Sequence, residues 1–298
     1  MRLLILFSMW SPDRSANSQS WLDYYTARLS SSFPNDDKFV VRNGNIETVA
    51  EDIISSIPKV IGTSDVPENM TIASDASGYQ HALKACEGII ENYDAVCFFH
   101  TKGLSYPFDH MGHVRDEIDR SAFDRGRLVE ALGGRDKVLV AIKGFLSPSV
   151  IANRQFQQLA ARSGINHPVI HYAAAWTFYA TSSAVVADMM RALPDEIKNN
   201  NLNSVGFDRF FFEAMVPSLL TALGATPTFL CGEQFDPQAS RSVSFDALPS
   251  HNSAIVTSEL RRMERMGNQY TQPATPYVLA SMEQIRNIII AFDQGYHN

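Results

Sequence analysis

The sequence has few cysteines and no long apolar run, and both shortages narrow what the protein can be. Its three cysteines, Cys86, Cys97 and Cys231, show neither metal-ligand nor paired spacing. We therefore expect buried free thiols in a reducing, cytoplasmic compartment. The opening apolar run, residues 3–7, is too short for a signal or membrane segment and lacks a cleavage pattern. The sequence thus predicts a soluble protein without a transmembrane segment.

Positive charge is also scarce. The 298 residues include 25 Lys and Arg against 32 Asp and Glu, which gives a net charge of -7. This balance argues against non-specific binding to nucleic acid or anionic membranes. It leaves room for a local basic pocket that binds a small phosphorylated ligand. A hydrophobic content of 45% with 19% charged residues is typical of one large globular domain, with or without an appendage.

Apolar runs alternate with helical stripes along the first hundred residues. Trp21, Tyr25 and Leu29 recur every four residues and predict a helix, and further helices are expected over 46–57 and from Gly78 onward. The intervening apolar runs predict four strands at residues 3–7, 38–41, 70–73 and 96–99, with later strands at 137–142, within 169–181 and at 227–231. This alternation predicts an α/β fold with a mostly parallel sheet flanked by helices.

Polar turns follow three of these strands, at residues 42–45, 74–78 and 100–103. Since ligands bind beyond the carboxyl ends of strands in open α/β sheets, we expect the turns to meet at one site. The central run stops at His100, Thr101 and Lys102, and Gly103 supplies a turn. An imidazole and an ammonium there suit a diphosphate. Thr101 should point away from them and act as a buried or capping hydroxyl. The alternative is an ordinary surface loop.

The order of these segments resembles that of GT-A-fold glycosyltransferases of the family-2 type. Residues 39–45 resemble their second strand and its turn, and residues 78–85 resemble their Gly-x-x-x-Ala helix start. Residues 94–103 fall where the metal-binding Asp-x-Asp motif of that family ends the fourth strand. Here His100-Thr101-Lys102 replaces the aspartates, as in the rhamnan-synthesis and related polysaccharide glycosyltransferases. The resemblance implies a GT-A (Rossmann-like) catalytic domain over residues 1–231, followed by a C-terminal helical extension over 232–298.

This resemblance also implies an activity. The chain would be a hexosyltransferase, of rhamnosyltransferase type, that takes a sugar from a nucleotide-diphosphate sugar to a glycan or polysaccharide acceptor. In place of a bound Mn²⁺ or Mg²⁺, Lys102 assisted by His100 would neutralise the leaving diphosphate, so neither a metal nor another cofactor is expected. Residues beyond the strand ends would hold the nucleotide: Ser8, Trp10, Arg42, Asn43, Asp75 and Ser77. For the turn residues, plain turn chemistry is the alternative.

The acceptor side is predicted from residues 208–213, which resemble the segment with the catalytic Glu-Asp pair of family 2. Glu213 or Asp208 would be the base that deprotonates the acceptor hydroxyl. The alternatives are a helix-surface carboxylate and a helix-capping aspartate. Pro217 should break the helix beside Glu213. Trp176 and Tyr179 either stack on a sugar ring or belong to the core.

Other interpretations of the sequence stay open. His110, His113 and Asp116 have a helical spacing that suits zinc, although a polar loop over the site is favoured. A sugar-nucleotide nucleotidyltransferase would need a glycine-rich loop after the first strand, and residues 8–16 contain no glycine. A non-catalytic nucleotide-sugar-binding module would share the same fold. The C-terminal extension would complete the acceptor side or form a homodimer contact.

Overall fold

In the computed structural model, the described residues are 1–13, 15–44, 51–67, 75–104, 106–133, 137–146, 159–165, 172–200, 202 and 211–230. The strands are β1 (Leu3–Ser11), β2 (Asp37–Gly44), β3 (Val60–Asp65), β4 (Ala95–His100), β5 (Val138–Leu146), β6 (Tyr172–Ser182) and β7 (Thr226–Phe229). The α-helices are α1 (Ala16–Ser32), α2 (Glu51–Ser55), α3 (Asp75–Cys86), α4 (Gly112–Asp119), α5 (Arg125–Leu132), α6 (Ser183–Ala192), α7 (Asp195–Asn199) and α8 (Val216–Ala222). Short 3₁₀ turns occupy Ile90–Asn92 and Phe108–Met111, and a π-helical turn occupies Phe211–Met215.

The seven strands form one sheet in the order β3-β2-β1-β4-β6-β5-β7. Strand β1 is parallel to β2 and β4, and β2 is parallel to β3. Strand β6 lies antiparallel between β4 and β5, and β7 is parallel to β5. The predicted fold class is therefore confirmed: a mostly parallel, Rossmann-like sheet of the GT-A type with helices between its strands.

The sequence does not predict the third strand of the described sheet. Strand β3 is Val60–Asp65, whereas residues 70–73 lie outside the described part of the chain. Among the described strands, β3 pairs only with β2 and lies at the edge of the sheet, so its faces do not have to be apolar, and Ile61 is 45% exposed. An edge strand of mixed polarity gives no apolar run in the sequence. The turn expected at 74–78 is also corrected, because helix α3 already begins at Asp75.

Side-chain alternation along β1 divides the core into two layers. Leu4 and Leu6 pack on the face that α3 and α6 cover, whereas Ile5 and Phe7 pack on the face that α1, α4 and α5 cover. The predicted stripe of α1, Trp21, Tyr25 and Leu29, is buried against that second face. Since side chains alternate along a strand, Ser8 lies on the α3 face.

The predicted break beside Glu213 is confirmed. The chain forms a π-helical turn over Phe211–Met215, and α8 then starts with Pro217 in its first turn. Proline fits there because the first turn of a helix needs no amide donor.

The structure bears differently on two further expectations, namely the C-terminal extension and the lack of a membrane-spanning helix. The proposed C-terminal extension, residues 232–298, lies outside the described residues. Within the described ranges, none of the helices has the combined length and apolarity that crossing a bilayer requires.

Candidate functional site

The strand order reverses beside β1, which locates a crevice. Strands β2 and β3 follow β1 on one side of it, and β4 adds to its other side. At such a switch point the loops beyond the two neighbouring strands leave in opposite directions and open a gap at their carboxyl ends. The ends of β1 and β4, which carry Trp10 and His100, flank this gap.

A threonine hydroxyl bridges the ends of β1 and β4 by hydrogen bonds. The last β1–β4 pair is Ser8 with His100. Beyond it, Thr101 Oγ1 accepts a hydrogen bond from the Trp10 amide at 2.9 Å and donates one to the Trp10 carbonyl at 2.6 Å. The side chain of Thr101 thus takes the place of a peptide group in the ladder. Thr101 is 3% exposed, in agreement with its predicted role as a buried hydroxyl.

Lys102 is held by a tyrosine from helix α1. The Tyr25 hydroxyl donates to the Lys102 carbonyl at 2.8 Å and accepts from the Lys102 amide at 3.0 Å. The residue itself is partly exposed. Among the described residues, the Lys102 ammonium forms neither a hydrogen bond nor an ion pair. By contrast, Arg28, Arg42 and Arg125 are each paired with an aspartate.

Gly103 completes the turn in a conformation that only glycine adopts readily. Its φ is +99°, and a Cβ atom at this position would lie 2.6 Å from the Trp21 ring. The next residues are tied to α1 by Asn17, whose Nδ2 donates to the carbonyls of Leu104 and Tyr106 at 3.2 and 3.1 Å. Helix α1 therefore serves as the support on which the turn after β4 lies.

His100 lies under aromatic cover at the end of β4. It is 5% exposed, and its ring centroid is 5.1 Å from that of Phe178 and 6.1 Å from that of Tyr79. The neighbouring Thr177 has a φ of +56°, which is strained for a β-branched residue, and its carbonyl accepts a hydrogen bond from the Tyr79 hydroxyl at 3.1 Å. Strained backbone of this kind occurs preferentially at functional sites.

The predicted nucleotide residues on β1 and β2 differ in how accessible they are. Trp10 is partly exposed and lies against Gly44, where an added Cβ would be 2.9 Å from its ring. Asn43, its register partner, is fully buried. Ser8 is 1% exposed, and its hydroxyl has no hydrogen-bond partner among the described residues. Of these three, Trp10 is the residue that offers a surface to a ligand.

Arg42 is engaged by a carboxylate that the sequence did not identify. Its guanidinium binds both oxygens of Asp65, at 2.5 and 2.7 Å, and Glu51 lies 3.4 Å away. Asp65 is the last residue of β3, and the sequence does not predict this pair because it does not predict that edge strand. A bidentate pair of this kind fixes the guanidinium in one orientation.

Helix α3 comes very close to β1 where Gly78 faces Ser8. A Cβ on Gly78 would lie 2.0 Å from Ser8 Oγ, so the glycine of the Gly-x-x-x-Ala segment is required by packing. Ser77 is 1% exposed in the first turn of this helix. Asp75 is the first residue of α3, and its side chain falls outside the described part of the molecule.

The predicted acceptor residues are only partly described. Glu213 is partly buried in the π-helical turn, whose Phe212 packs on Tyr79 with ring centroids 5.3 Å apart. Tyr179 is 1% exposed and stacks on Phe98 at 4.7 Å, a placement that favours its core alternative. Trp176 belongs to β6, but its side chain lies outside the described set, as does Asp208 altogether.

Two further observations concern ligand binding: one is about metal ligands and the other about a cavity away from the crevice. Within the described ranges, no three His, Cys, Asp or Glu side chains converge as a metal site would require. A cavity of about 650 Å³ lies at the opposite, amino-terminal edge of the sheet, near Met1, Asp94 and Ser183. Its arginine, Arg191, is already paired with Glu91 at 2.8 Å and with Asp188 at 2.7 Å.

Comparisons with known proteins give little beyond this geometry. Neither the protein-family models nor the curated proteins include a match to the chain. Among solved structures, the chain is similar to the mannosyltransferase Ktr4p from S. cerevisiae in complex with GDP, with 14% sequence identity and a TM-score of 0.35. The match covers 74% of this chain and 66% of that enzyme. The assignment of the fold therefore rests on the strand order of the sheet.

Proposed function

We propose that this chain is a glycosyltransferase that uses a nucleotide-diphosphate sugar as donor and a glycan as acceptor. One observation carries the proposal. Lys102 lies on a fixed backbone at the carboxyl-end crevice of a parallel sheet, and no described residue neutralises its ammonium. An uncompensated ammonium at that position suits the phosphates of a nucleotide.

The leaving group defines what Lys102 would do. Glycosyl transfer releases a nucleoside diphosphate, so negative charge grows on the phosphate oxygens as the sugar bond breaks. A preorganised ammonium that stabilises this charge lowers the barrier. His100 would assist from the end of β4, and Trp10 would contact the nucleotide from the end of β1. In this proposal no metal held by an Asp-x-Asp motif is needed, as the His100-Thr101-Lys102 motif of the rhamnan-synthesis type suggests.

Deprotonation of the acceptor hydroxyl is assigned to Glu213, with Asp208 as the alternative base. The π-helical turn that carries Glu213 packs through Phe212 on Tyr79, and Tyr79 lies beside His100. This chain of ring contacts supports placing the base near the end of β4.

The test is a titration of UDP, GDP and dTDP into the protein by calorimetry, with either Mn²⁺ or EDTA present. We expect one nucleotide to bind in EDTA, and Lys102→Ala to weaken its Kd about 10- to 100-fold, the range for a lost charge-assisted hydrogen bond. Lys84→Ala is the control, because Lys84 is an exposed lysine in the last turn of α3. A strict requirement for Mn²⁺ would contradict the role of Lys102.

Turnover separates the enzyme from a binding module. Glu213→Gln should abolish transfer from the nucleotide sugar while leaving the Kd for the nucleotide within about twofold, because the base does not contact the donor phosphates. Nucleotide-sugar binding by the unaltered protein with neither transfer nor hydrolysis would instead favour a non-catalytic module.

A further inference from the structure

Helix α1 contacts the turn after β4 through polar side chains on successive turns of the helix. Asn17 donates to the Leu104 and Tyr106 carbonyls, and its Oδ1 accepts from the Phe108 amide at 2.7 Å. Trp21 Nε1 donates to the Tyr106 carbonyl at 3.1 Å. Tyr25 binds both backbone groups of Lys102. The backbone groups of Lys102, Leu104, Tyr106 and Phe108 are thus held by a neighbouring helix.

The contact between Tyr25 and Lys102 depends on a neutral phenol. Tyr25 is fully buried, and burial raises its pKa well above the ordinary value, with a further increase from Tyr24. The hydroxyl therefore keeps its proton and can donate and accept at the same time. The Lys102 carbonyl is then bound by the Tyr25 hydroxyl, and the Lys102 amide donates both to that hydroxyl and to the His100 carbonyl, the latter at 3.0 Å.

We propose that Tyr25 and Asn17 are positioning residues, which fix the backbone at Lys102 so that its ammonium meets the donor diphosphate. The inference rests on the proposed function and deepens it. Neither residue needs to touch the ligand. A lysine side chain has many rotamers, so its contribution to binding depends on how well its backbone is already placed. Loss of either anchor should let the turn sample other conformations and lower the fraction of protein that is ready to bind.

The decisive experiment is a double-mutant cycle on the Kd of the nucleoside diphosphate that the unaltered protein binds. Tyr25→Phe should weaken binding about tenfold in the unaltered background, since one hydroxyl with two hydrogen bonds is lost. In the Lys102→Ala background it should change the Kd less than about twofold, because there is no ammonium left to position. A merely structural role would weaken binding equally in both backgrounds and would overturn the inference.

The neighbouring tyrosine is a matched control. Tyr24 donates its hydroxyl hydrogen bond to Asp119 at 2.7 Å and does not bind Lys102. Tyr24→Phe should leave the nucleotide Kd within about twofold, the level expected for a change that does not couple to the site. An effect of Tyr24→Phe as large as that of Tyr25→Phe would contradict the assignment.

A second variant covers the case in which Tyr25→Phe fails to fold. Asn17 is partly exposed, so Asn17→Ala should fold, and it should also speed amide hydrogen exchange over residues 102–108. We expect it to weaken nucleotide binding only when Lys102 is present. If Lys102→Ala weakens binding but neither Tyr25→Phe nor Asn17→Ala does, the inference fails and the proposed function stands. If the unaltered protein binds no nucleoside diphosphate, the proposed function fails and the inference with it.

Discussion

Lys38 is the most deeply buried charged side chain on the strands that lead to the site. It is 0% exposed, and its ammonium donates to the carbonyls of Phe33, Asp36 and Pro58 at 2.6, 2.8 and 2.9 Å. Phe33 follows the end of α1, Asp36 precedes β2, and Pro58 precedes β3. Lys38 therefore links the α1–β2 and α2–β3 connections to the start of β2. Burial lowers the pKa of Lys38 from 10.5 to about 8, opposed by the charge of Asp36.

This shift predicts a stability that depends on pH. Between pH 8 and 10.5 the unfolded chain binds more protons at this lysine than the folded chain does, so the free energy of unfolding rises with pH across that window. The gain between pH 7.5 and 9.5 should be about 2 kcal/mol. Urea unfolding of the unaltered protein and of Lys38→Met at both pH values measures it, since the variant lacks this titration. Equal slopes for the two proteins would mean that the three carbonyls compensate for the burial.

At the residue scale, the sequence predicts where β4 ends but not the side chain that supports the turn after it. His100 and Lys102 were located because an apolar run ends abruptly before them, and the structure has β4 end at His100. Tyr25, in the sequence alone, is one of the apolar residues of a helical stripe. A buried tyrosine needs a partner for its hydroxyl, and that partner is 77 residues away in the chain. Such a long-range hydrogen bond leaves no local pattern.

Helix α3 approaches β1 closely at Gly78. Glycine at position 78 gives the helix room above Ser8, whose Oγ would lie 2.0 Å and whose Cβ would lie 2.7 Å from an added Cβ. Alanine favours a helix over glycine by about 1 kcal/mol, so two effects oppose each other at this position. In the unaltered protein the steric clash should decide.

We predict that the effect of Gly78→Ala on the free energy of unfolding changes sign when Ser8 is replaced by glycine. Gly78→Ala should lower the free energy of unfolding by about 1–3 kcal/mol, the usual cost of overpacking. In a Ser8→Gly background the same change should be neutral or stabilising by up to about 1 kcal/mol, because the clashing atoms are gone. Chemical denaturation of the four proteins in the cycle measures both values. A similar loss in both backgrounds would show that the close contact is not what requires glycine.

The sequence predicts strands and helices well where each face of the element is uniformly apolar or polar. The core strands β1 and β4 are buried on both faces and gave clear apolar runs, and α1 gave a clear stripe. Strand β3 lies at the sheet edge and alternates irregularly, so its position was missed. Asp75 and Ser77 are residue types that favour turns in general, but here they begin helix α3.

At the scale of the whole molecule, the strand order explains how distant segments of the chain meet at the ends of β1 and β4. The reversal beside β1 brings chain segments about ninety residues apart, around Trp10 and Thr101, into direct hydrogen bonding. Only the alternation of strands and helices was visible in the sequence. The antiparallel insertion of β6 between β4 and β5 had no local signal, because pairing partners are chosen by packing over the whole sheet.

The described fold also bears on the proposed boundary at residue 231. Among the described residues, the buried members of the two core layers run from Leu3 to Leu230. Leu230, near the end of β7, is 6% exposed, donates its amide to the Ala141 carbonyl at 2.9 Å and accepts a hydrogen bond from Arg127. Strand β7 therefore closes the β5 edge of the described sheet.

We therefore predict that a chain ending after Cys231 folds by itself and unfolds cooperatively on heating, as followed by circular dichroism. A chain ending after Leu223 lacks β7, and its Tm should fall by at least about 5 °C below that of the longer one, because the core residues Ala225 and Leu230, a strand pairing and the Arg127 hydrogen bond are lost together. If the chain ending after Cys231 has no cooperative transition, residues 232–298 contribute to the core and the proposed division into a catalytic domain and an extension is wrong. If both truncated chains melt alike, β7 is dispensable, and the β5 edge does not need the cover that we assign to it.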